Sequence, residues 1–150
     1  MTPTALIFTI LAVAAGALFP TQTAINAKLA AGVGGPIAST LISFVAGLTA
    51  LVVIVIVTRQ VPTLESLRAL PPWLLVSGGF LGATYLSLNV FLVPRIGAGA
   101  MMALAIAGQM VAALVIDRSG LFGVTVRELS ASRILGAILV AIGAFMVRFL

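Results

Sequence analysis

The amino-acid sequence predicts an all-α membrane protein with five transmembrane helices. Hydrophobic residues make up 62% of the 150 residues and charged residues only 7%, and the mean hydropathy is +1.32. Such a chain has too little polar surface to cover a water-soluble globule. The apolar residues also fall into five runs of about 20 residues, the length that crosses a bilayer as a helix. We therefore expect a single transmembrane domain that spans residues 1–150.

The five apolar runs define the expected spans, and the short segments between them define the loops. The spans lie at about 4–28, 36–58, 72–93, 97–116 and 131–149. Only Pro94, Arg95 and Ile96 separate the third and fourth spans, so these two helices are expected to form a tight hairpin. The loop before Trp73 could carry a short segment at the membrane interface, over residues 63–70, with the indole in the aromatic belt.

Composition and charge exclude several classes of function. The net charge is +5, but the basic residues lie singly between apolar runs, so no patch for nucleic acid is expected. The sequence has no Cys and no His, which removes disulfides, thiol and imidazole catalysis, and zinc sites. Metals and cofactors are therefore not expected.

No catalytic residue is predicted. An enzyme needs a nucleophile beside a base, or paired carboxylates, in a place that water reaches. The acidic residues Glu65, Asp117 and Glu128 lie in loops or at their edges, and no serine or threonine has a histidine or lysine to activate it. We therefore expect a protein without enzymatic activity.

Basic residues are divided almost evenly between the two sides of the membrane. Five spans place the termini on opposite sides, with five arginines on the side of the N-terminus and Lys28, Arg95 and Arg148 on the other. This bias weakly favours a cytoplasmic N-terminus. A chain so nearly balanced could insert in both orientations.

A polar strip interrupts the first apolar run. Gln22 and Asn26 are four residues apart, so on a helix they lie on one face, one turn from each other. Pro20 lacks an N–H and its ring clashes with the carbonyl of Gly16, so a kink is expected just before the strip. The two amides either hold neighbouring helices together or line a cavity.

Three further polar side chains fall at membrane depth: Tyr85, Asn89 and Gln109. Gln109 lies near the middle of the fourth span, where a buried amide needs a partner. If the amides meet, they form a neutral hydrogen-bonding cavity near the midplane, as in transporters. The alternative is that Gln109 only caps a helix contact. A neutral or weakly polar solute, or an anion held by amide donors, fits such a cavity better than a cation.

No carboxylate lies near the centre of a predicted span, so proton exchange on an intramembrane acid is not expected. Asp117 adjoins the end of the fourth span beside Arg118. Asp117 either forms an interfacial salt bridge that anchors the topology or acts as a gating or proton-coupling group.

Small residues recur at spacings that allow helices to pack closely. The third span carries Gly78 and Gly82 as a GxxxG pair, the second carries Ser43 and Gly47, and the fourth carries Gly108. Such stripes let two backbones approach to van der Waals contact. We expect them to be helix-packing residues.

Several of these residues occur together in an order that resembles the YdcZ-like branch of the drug/metabolite transporter (DMT) superfamily. The resemblance covers nearly the whole chain. The residues that carry it are Gly16, Gln22, Asn26 and Leu29, then Ser43, Phe44 and Gly47, then Trp73, Gly78, Gly79 and Gly82, and finally Pro94, Gly97, Ala98, Gly108, Gln109 and Asp117.

The resemblance implies half of an inverted-repeat transporter in a bacterial inner membrane. Members of the superfamily commonly have ten helices in two inverted five-helix repeats, and single-repeat chains are expected to pair with an inverted second copy or a sister subunit. The expected activity is transport of a small solute by alternating access in an antiparallel homodimer. The alternatives are a passive dual-topology channel and a membrane assembly subunit that transports nothing.

Overall fold

The computed structural model describes residues 3–150, and the side chains from Thr4 onward. Six α-helices and one 3-10 turn make up this part of the chain, which contains no strand. The elements are α1 (Pro3–Val33), α2 (Pro36–Thr58), α3 (Leu64–Arg68), α4 (Pro72–Ile96), α5 (Ala98–Ser119), the 3-10 turn (Leu121–Gly123) and α6 (Ala131–Phe149). By length and composition, the five long helices can each cross a membrane, which confirms the predicted fold class.

Two helices continue beyond the ends expected from the sequence, because each continues until a glycine takes a positive φ. α1 ends at Val33 rather than near residue 28, and Gly34 (φ 90°) and Gly35 (φ 132°) follow it. α5 includes Asp117 and ends at Ser119. Gly120 (φ 64°) follows, and its N–H donates to Ile116 O at 2.9 Å. Glycine adopts this left-handed conformation without the steric penalty that other residues meet.

The connections around α4 also differ from the expected loops. Residues 94–96, expected as a loop, form the last turn of α4, and Gly97 (φ 85°) alone separates α4 from α5. Pro94 lies inside α4, where its missing N–H leaves the usual backbone hydrogen bond to Val90 O unmade. The expected short segment contains α3, whose N-cap Thr63 accepts a hydrogen bond from Ser66 N–H at 3.2 Å. Its position at the membrane interface stays a prediction.

The chain divides into two compact units, Met1–Pro94 and Arg95–Leu150. In the first unit α1 packs on α2, and α4 contacts both of them. In the second unit α5 packs on α6. The expectation of a single transmembrane domain stays a prediction.

The buried side chains of the first unit are mostly polar. Leu86 and Val90 of α4 are buried beside five polar residues, which we call the polar layer: Thr23, Asn26, Ser39, Thr40 and Asn89. This composition follows from the solvent, because large apolar side chains gain nothing by leaving lipid, whereas small and hydrogen-bonding groups let helices associate. The buried residues of the second unit are Ala100, Met101 and Ala144.

Candidate functional site

The residues of the polar layer belong to three helices, α1, α2 and α4, which contact one another in the first unit. The rings of Phe19 on α1 and Tyr85 on α4 stack with their centroids 5.1 Å apart. On α2, the ring of Phe44 lies 3.6 Å from the position that a Cβ on Gly82 would take. Every member of the layer is at most 4% exposed. The members of the layer are therefore buried on three helices that contact one another.

Asn26 joins α1 to α2 through both its side chain and its backbone. Its Nδ2 donates to Ser43 Oγ at 3.1 Å, and Ser39 Oγ donates to its backbone oxygen at 2.6 Å. These bonds support the interpretation of Asn26 as a residue that holds two helices together. Contact between Asn26 and a solute stays a prediction.

Gln22 lies one turn before Asn26 but in a different environment. Its side chain is exposed and lines a groove of about 320 Å³ between α1 and α2. Ser43 and Gly47 line the same groove, so Gln22 and Asn26 do share the face that the spacing predicts. α1 continues through Pro20 as one helix, and the kink expected there stays a prediction.

Asn89 is fully buried, and only one of the two polar atoms of its side-chain amide has a hydrogen-bond partner. Its Nδ2 donates to the backbone oxygen of Tyr85 at 2.7 Å, whereas its Oδ1 has no hydrogen-bond partner. A backbone oxygen can only accept, so the nitrogen of the amide must be the atom that faces Tyr85. The amide therefore leaves a carbonyl oxygen unpaired inside the unit.

Thr40 is the second buried residue with an unpaired polar atom. Its Oγ has no partner, although the side chain is only 4% exposed. Thr23 of α1 is also buried, but its hydroxyl donates to Phe19 O at 2.9 Å. Sequence reasoning missed Thr23 and Thr40 as buried polar residues. The adjacent hydroxyls of Ser39 and Thr40 near the start of α2 were a signal that could have identified Thr40.

Gln109 lies in the second unit, where its side chain on α5 is exposed. The other four candidate residues, Gln22, Asn26, Tyr85 and Asn89, lie in the first unit. A cavity shared by all five residues stays a prediction.

Asp117 lies in the last turn of α5 and forms an ion pair with Arg133 at the start of α6. Two further bonds tie the intervening loop to this pair: Arg127 N–H donates to Asp117 O at 2.8 Å, and Arg133 Nη1 donates to Glu128 O at 3.3 Å. The geometry supports the salt-bridge interpretation of Asp117. A gating or coupling role stays a prediction.

The predicted packing glycines differ in their surroundings. Gly82 faces Phe44, and Gly47 lines the groove beside Gln22. A Cβ built on Gly78 or Gly108 would meet nothing within 4 Å among the described residues. Close packing of another helix at these two glycines therefore stays a prediction.

In the part of the chain that the structure describes, no three His, Cys, Asp or Glu side chains lie close enough to hold a metal ion. The polar layer consists of uncharged amides and hydroxyls. Such groups bind by hydrogen bonding, and they supply neither a strong nucleophile nor a general base.

The chain is similar to a known protein family over most of its length. The family model described as "Putative inner membrane exporter, YdcZ" matches residues 7–146. No curated protein and no solved structure gives a significant match to the chain. The match extends over all five long helices, and it confirms the resemblance drawn from the sequence motifs. The chain therefore belongs to the YdcZ branch of the drug/metabolite transporter superfamily and is a multi-pass protein of the inner membrane.

Proposed function

We propose that this protein transports a small polar or weakly charged solute across the inner membrane by alternating access, as an antiparallel dimer of five-helix halves. The observation that carries the proposal is membership of an exporter family in a chain whose first unit encloses a layer of uncharged hydrogen-bonding groups. Transporters commonly place such groups near the bilayer midplane, where the solute replaces its water shell with protein partners.

The exposed amide of Gln22 supports the dimer. It lies in the middle of α1, in a groove whose other walls are mostly apolar. A primary amide that faces hydrocarbon is unfavourable because lipid offers it no hydrogen bond. A second copy, inserted in the opposite orientation, would cover the groove and complete the solute pathway.

A non-transporting assembly subunit is the second candidate. It is favoured by the bonding of Asn26, whose side chain is already used to hold α1 against α2. In that case the buried amides would stabilise the helices and carry no solute.

Purified protein in liposomes tests the proposal. Tracer uptake and solid-supported-membrane currents would be recorded for the wild type, Gln22→Ala and Gln109→Ala, with Thr21→Ala as the matched control. Thr21 is an exposed neighbour of Gln22 whose hydroxyl is bound to Ala17 O at 2.9 Å. We expect saturable flux in the wild type and the control, and weaker flux in both glutamine variants.

Three outcomes would contradict the proposal. Flux that persists undiminished in both glutamine variants would remove the proposed site. Complete absence of flux for every solute tried, with a stable dimer, would favour the assembly subunit. Conductance far above about 10³ solutes per second, the upper end of ordinary turnover numbers, would favour a passive channel.

A further inference from the structure

We infer that the groove between α5 and α6 binds one anionic phospholipid, with the lipid phosphate at Arg133 and part of an acyl chain along the two helices. The groove lies in the second unit, apart from the polar layer. The inference goes beyond the proposed function and does not depend on it.

The groove runs along an antiparallel pair of helices. Asp117 near the end of α5 pairs with Arg133 near the start of α6. At the opposite end of the pair, a Cβ on Gly99 would lie 4.0 Å from Val147 Cγ1. Close to the ion pair, both helices line one groove of about 340 Å³. The lining residues are Met110, Ala113, Leu114, Arg133, Gly136, Ala137 and Val140.

The groove has an apolar body and a charged end. Every lining residue except Arg133 is apolar. From Arg133 to Val140 the groove follows α6 for about 10 Å. Gly136, Ala137 and Ala113 have little or no side chain, so they leave this space open. A ligand that fits the groove has hydrocarbon over that length and an anionic group at one end.

Arg133 keeps hydrogen-bonding capacity for such an anion. Its Nη2 donates to Asp117 Oδ2, and its Nη1 donates to Glu128 O at 3.3 Å. These bonds use two of the five N–H groups of the guanidinium, so three remain. The side chain is also 32% exposed. A phosphate oxygen can therefore accept a hydrogen bond from Arg133 while the ion pair stays in place.

The charge of the surrounding segment favours an anion. Residues 117–133 contain three arginines and two acids, so the net charge of this segment is +1. The arginine backbones are gathered beside the ion pair, because Arg118 follows Asp117 and the N–H of Arg127 donates to Asp117 O at 2.8 Å. Basic groups at the ends of membrane helices attract the phosphates of anionic lipids.

The loop between α5 and α6 exposes large apolar side chains beside these arginines. Leu121, Phe122, Val124 and Val126 are each at least 43% exposed. Exposed apolar groups next to basic ones are typical of segments that lie in the headgroup layer, with the apolar groups toward the acyl chains. The charged end of the groove is therefore at the depth where lipid phosphates lie.

A second copy of the chain matches the charged end of the groove less well than a lipid does. The chain has eight basic and three acidic residues, and two of those acids already lie in the segment around Arg133. Glu65 is the one acid that a second copy would bring from elsewhere in its sequence. Anionic phosphates, in contrast, are present throughout the headgroup layer.

Native mass spectrometry of the purified full-length protein tests the site, because it resolves each bound lipid and the oligomeric state in one spectrum. The lipid probes are dioleoylphosphatidylglycerol and dioleoylphosphatidylcholine, which have the same chains and differ in net charge. Glycerol phosphate, an anion without chains, distinguishes a lipid site from a site for free phosphate. The readout is the dissociation constant of the first bound lipid, which does not depend on flux.

The variants change the two ends of the site separately. Arg133→Gln removes the charge, whereas Asp117→Asn breaks the same ion pair but keeps the guanidinium. Gly136→Leu and Ala113→Leu fill the groove from α6 and from α5. Gly143→Leu is the matched control, because Gly143 lies on α6 outside the groove lining, and a Cβ there, as at Gly136, would meet nothing within 4 Å.

We expect the wild type to bind phosphatidylglycerol at least about fivefold more tightly than phosphatidylcholine, the effect of one arginine near an anionic lipid. Asp117→Asn and Gly143→Leu should keep this preference, and Arg133→Gln should abolish it. Gly136→Leu and Ala113→Leu should weaken the binding of both lipids by a similar factor, because they remove space for the chain. Glycerol phosphate should not bind.

Equal affinity of the wild type for the two lipids would overturn the inference. An equal loss of preference in Arg133→Gln and Asp117→Asn would overturn it too, because it would show that the ion pair acts only through the fold. Unchanged lipid binding in both groove-filling variants would exclude the chain from the groove.

Two further outcomes would assign the groove to another occupant and overturn the inference. A dimer that dissociates when the groove is filled, with lipid preference unchanged, would indicate a second copy. Glycerol phosphate that binds as tightly as the lipid would indicate free phosphate. Lipid preference without flux would support this site and contradict the proposed transport, whereas flux without lipid preference would do the reverse.

Discussion

At the scale of single residues, three side-chain amides of the first unit have three different environments. Asn26 is bonded across a helix pair, Asn89 is half satisfied inside the unit, and Gln22 is exposed in a groove. The residue types are nearly equivalent, so the differences arise from the neighbours that each amide meets. The partners available to each amide therefore decide how much of its hydrogen-bonding capacity is used inside the unit.

Gly120 provides a prediction at the same scale. It ends α5 with φ 64°, and a Cβ there would lie 2.7 Å from Val126 Cγ2. Gly120→Ala should lower the free energy of unfolding by about 1–2 kcal/mol or more, because the left-handed conformation and the steric contact both oppose the methyl group. The measurement is reversible unfolding in detergent, followed by circular dichroism.

Gly123→Ala is the matched control. Gly123 also has a positive φ, 78°, but a Cβ there would meet nothing within 4 Å. The loss of unfolding free energy in Gly123→Ala should therefore come from the left-handed backbone conformation alone. An equal loss in both variants would show that Val126 moves aside freely and that the contact is unimportant.

At the scale of helices, short polar side chains hold α1 against α2, and Asn26 and Ser43 form the direct side-chain bond. A double-mutant cycle with Asn26→Ala, Ser43→Ala and the double variant should give a coupling free energy of about 0.6 kcal/mol, and at most about 2 kcal/mol. This is the range found for hydrogen bonds between membrane helices.

Steric trapping or detergent unfolding would supply the free energies for this cycle. Thr49→Ala combined with Asn26→Ala serves as the uncoupled control, because Thr49 is exposed on the same helix. Additive effects of Asn26 and Ser43 would show that the bond contributes nothing to the packing of these helices.

The ion pair between Asp117 and Arg133 ties α5 to α6 in the second unit. Both side chains are partly exposed, 23% for Asp117 and 32% for Arg133, so solvent screens their attraction. Asp117→Asn and Arg133→Gln should each lower the free energy of unfolding by about 0.2–1 kcal/mol, and the double variant by less than the sum.

Flux measurements on the same variants separate anchoring from coupling. If Asp117 only anchors the loop, the Asp117→Asn protein should keep the pH dependence of wild-type flux. A pH dependence that disappears in Asp117→Asn but not in Arg133→Gln would show that the carboxyl group takes part in transport.

At the scale of the whole molecule, the near-even division of basic residues predicts insertion in both orientations. The chain has no Cys, so single cysteines can report which side of the membrane a residue faces. Thr125→Cys in the exposed loop after α5 and Leu150→Cys beyond α6 lie at opposite ends of the last span.

A membrane-impermeant thiol reagent on intact spheroplasts should label about half of the molecules at each position if both orientations occur equally. Permeabilised spheroplasts give the value for complete labelling. Full labelling at one position and none at the other would establish a fixed orientation, and would exclude an antiparallel homodimer.

The sequence by itself determined the five spans, the absence of thiol and imidazole chemistry, and the family. Each of these depends on composition or on local order along the chain, because lipid imposes a length and a polarity on every segment separately. It also placed Gln22 and Asn26 on one helix face, since helical periodicity is a local property.

The tertiary structure alone decided which polar atoms are paired. Nothing in the order of residues indicates that Asn26 bonds to Ser43, or that the side-chain oxygens of Asn89 and Thr40 are left unpaired. Pairing depends on which helices are neighbours and at what height, and small residues set that height through close contacts such as Gly82 against Phe44. The predicted number of long apolar helices was therefore right, although three of them end later than expected, whereas the hydrogen-bond partners of the amides could be seen only once the helices had been brought together.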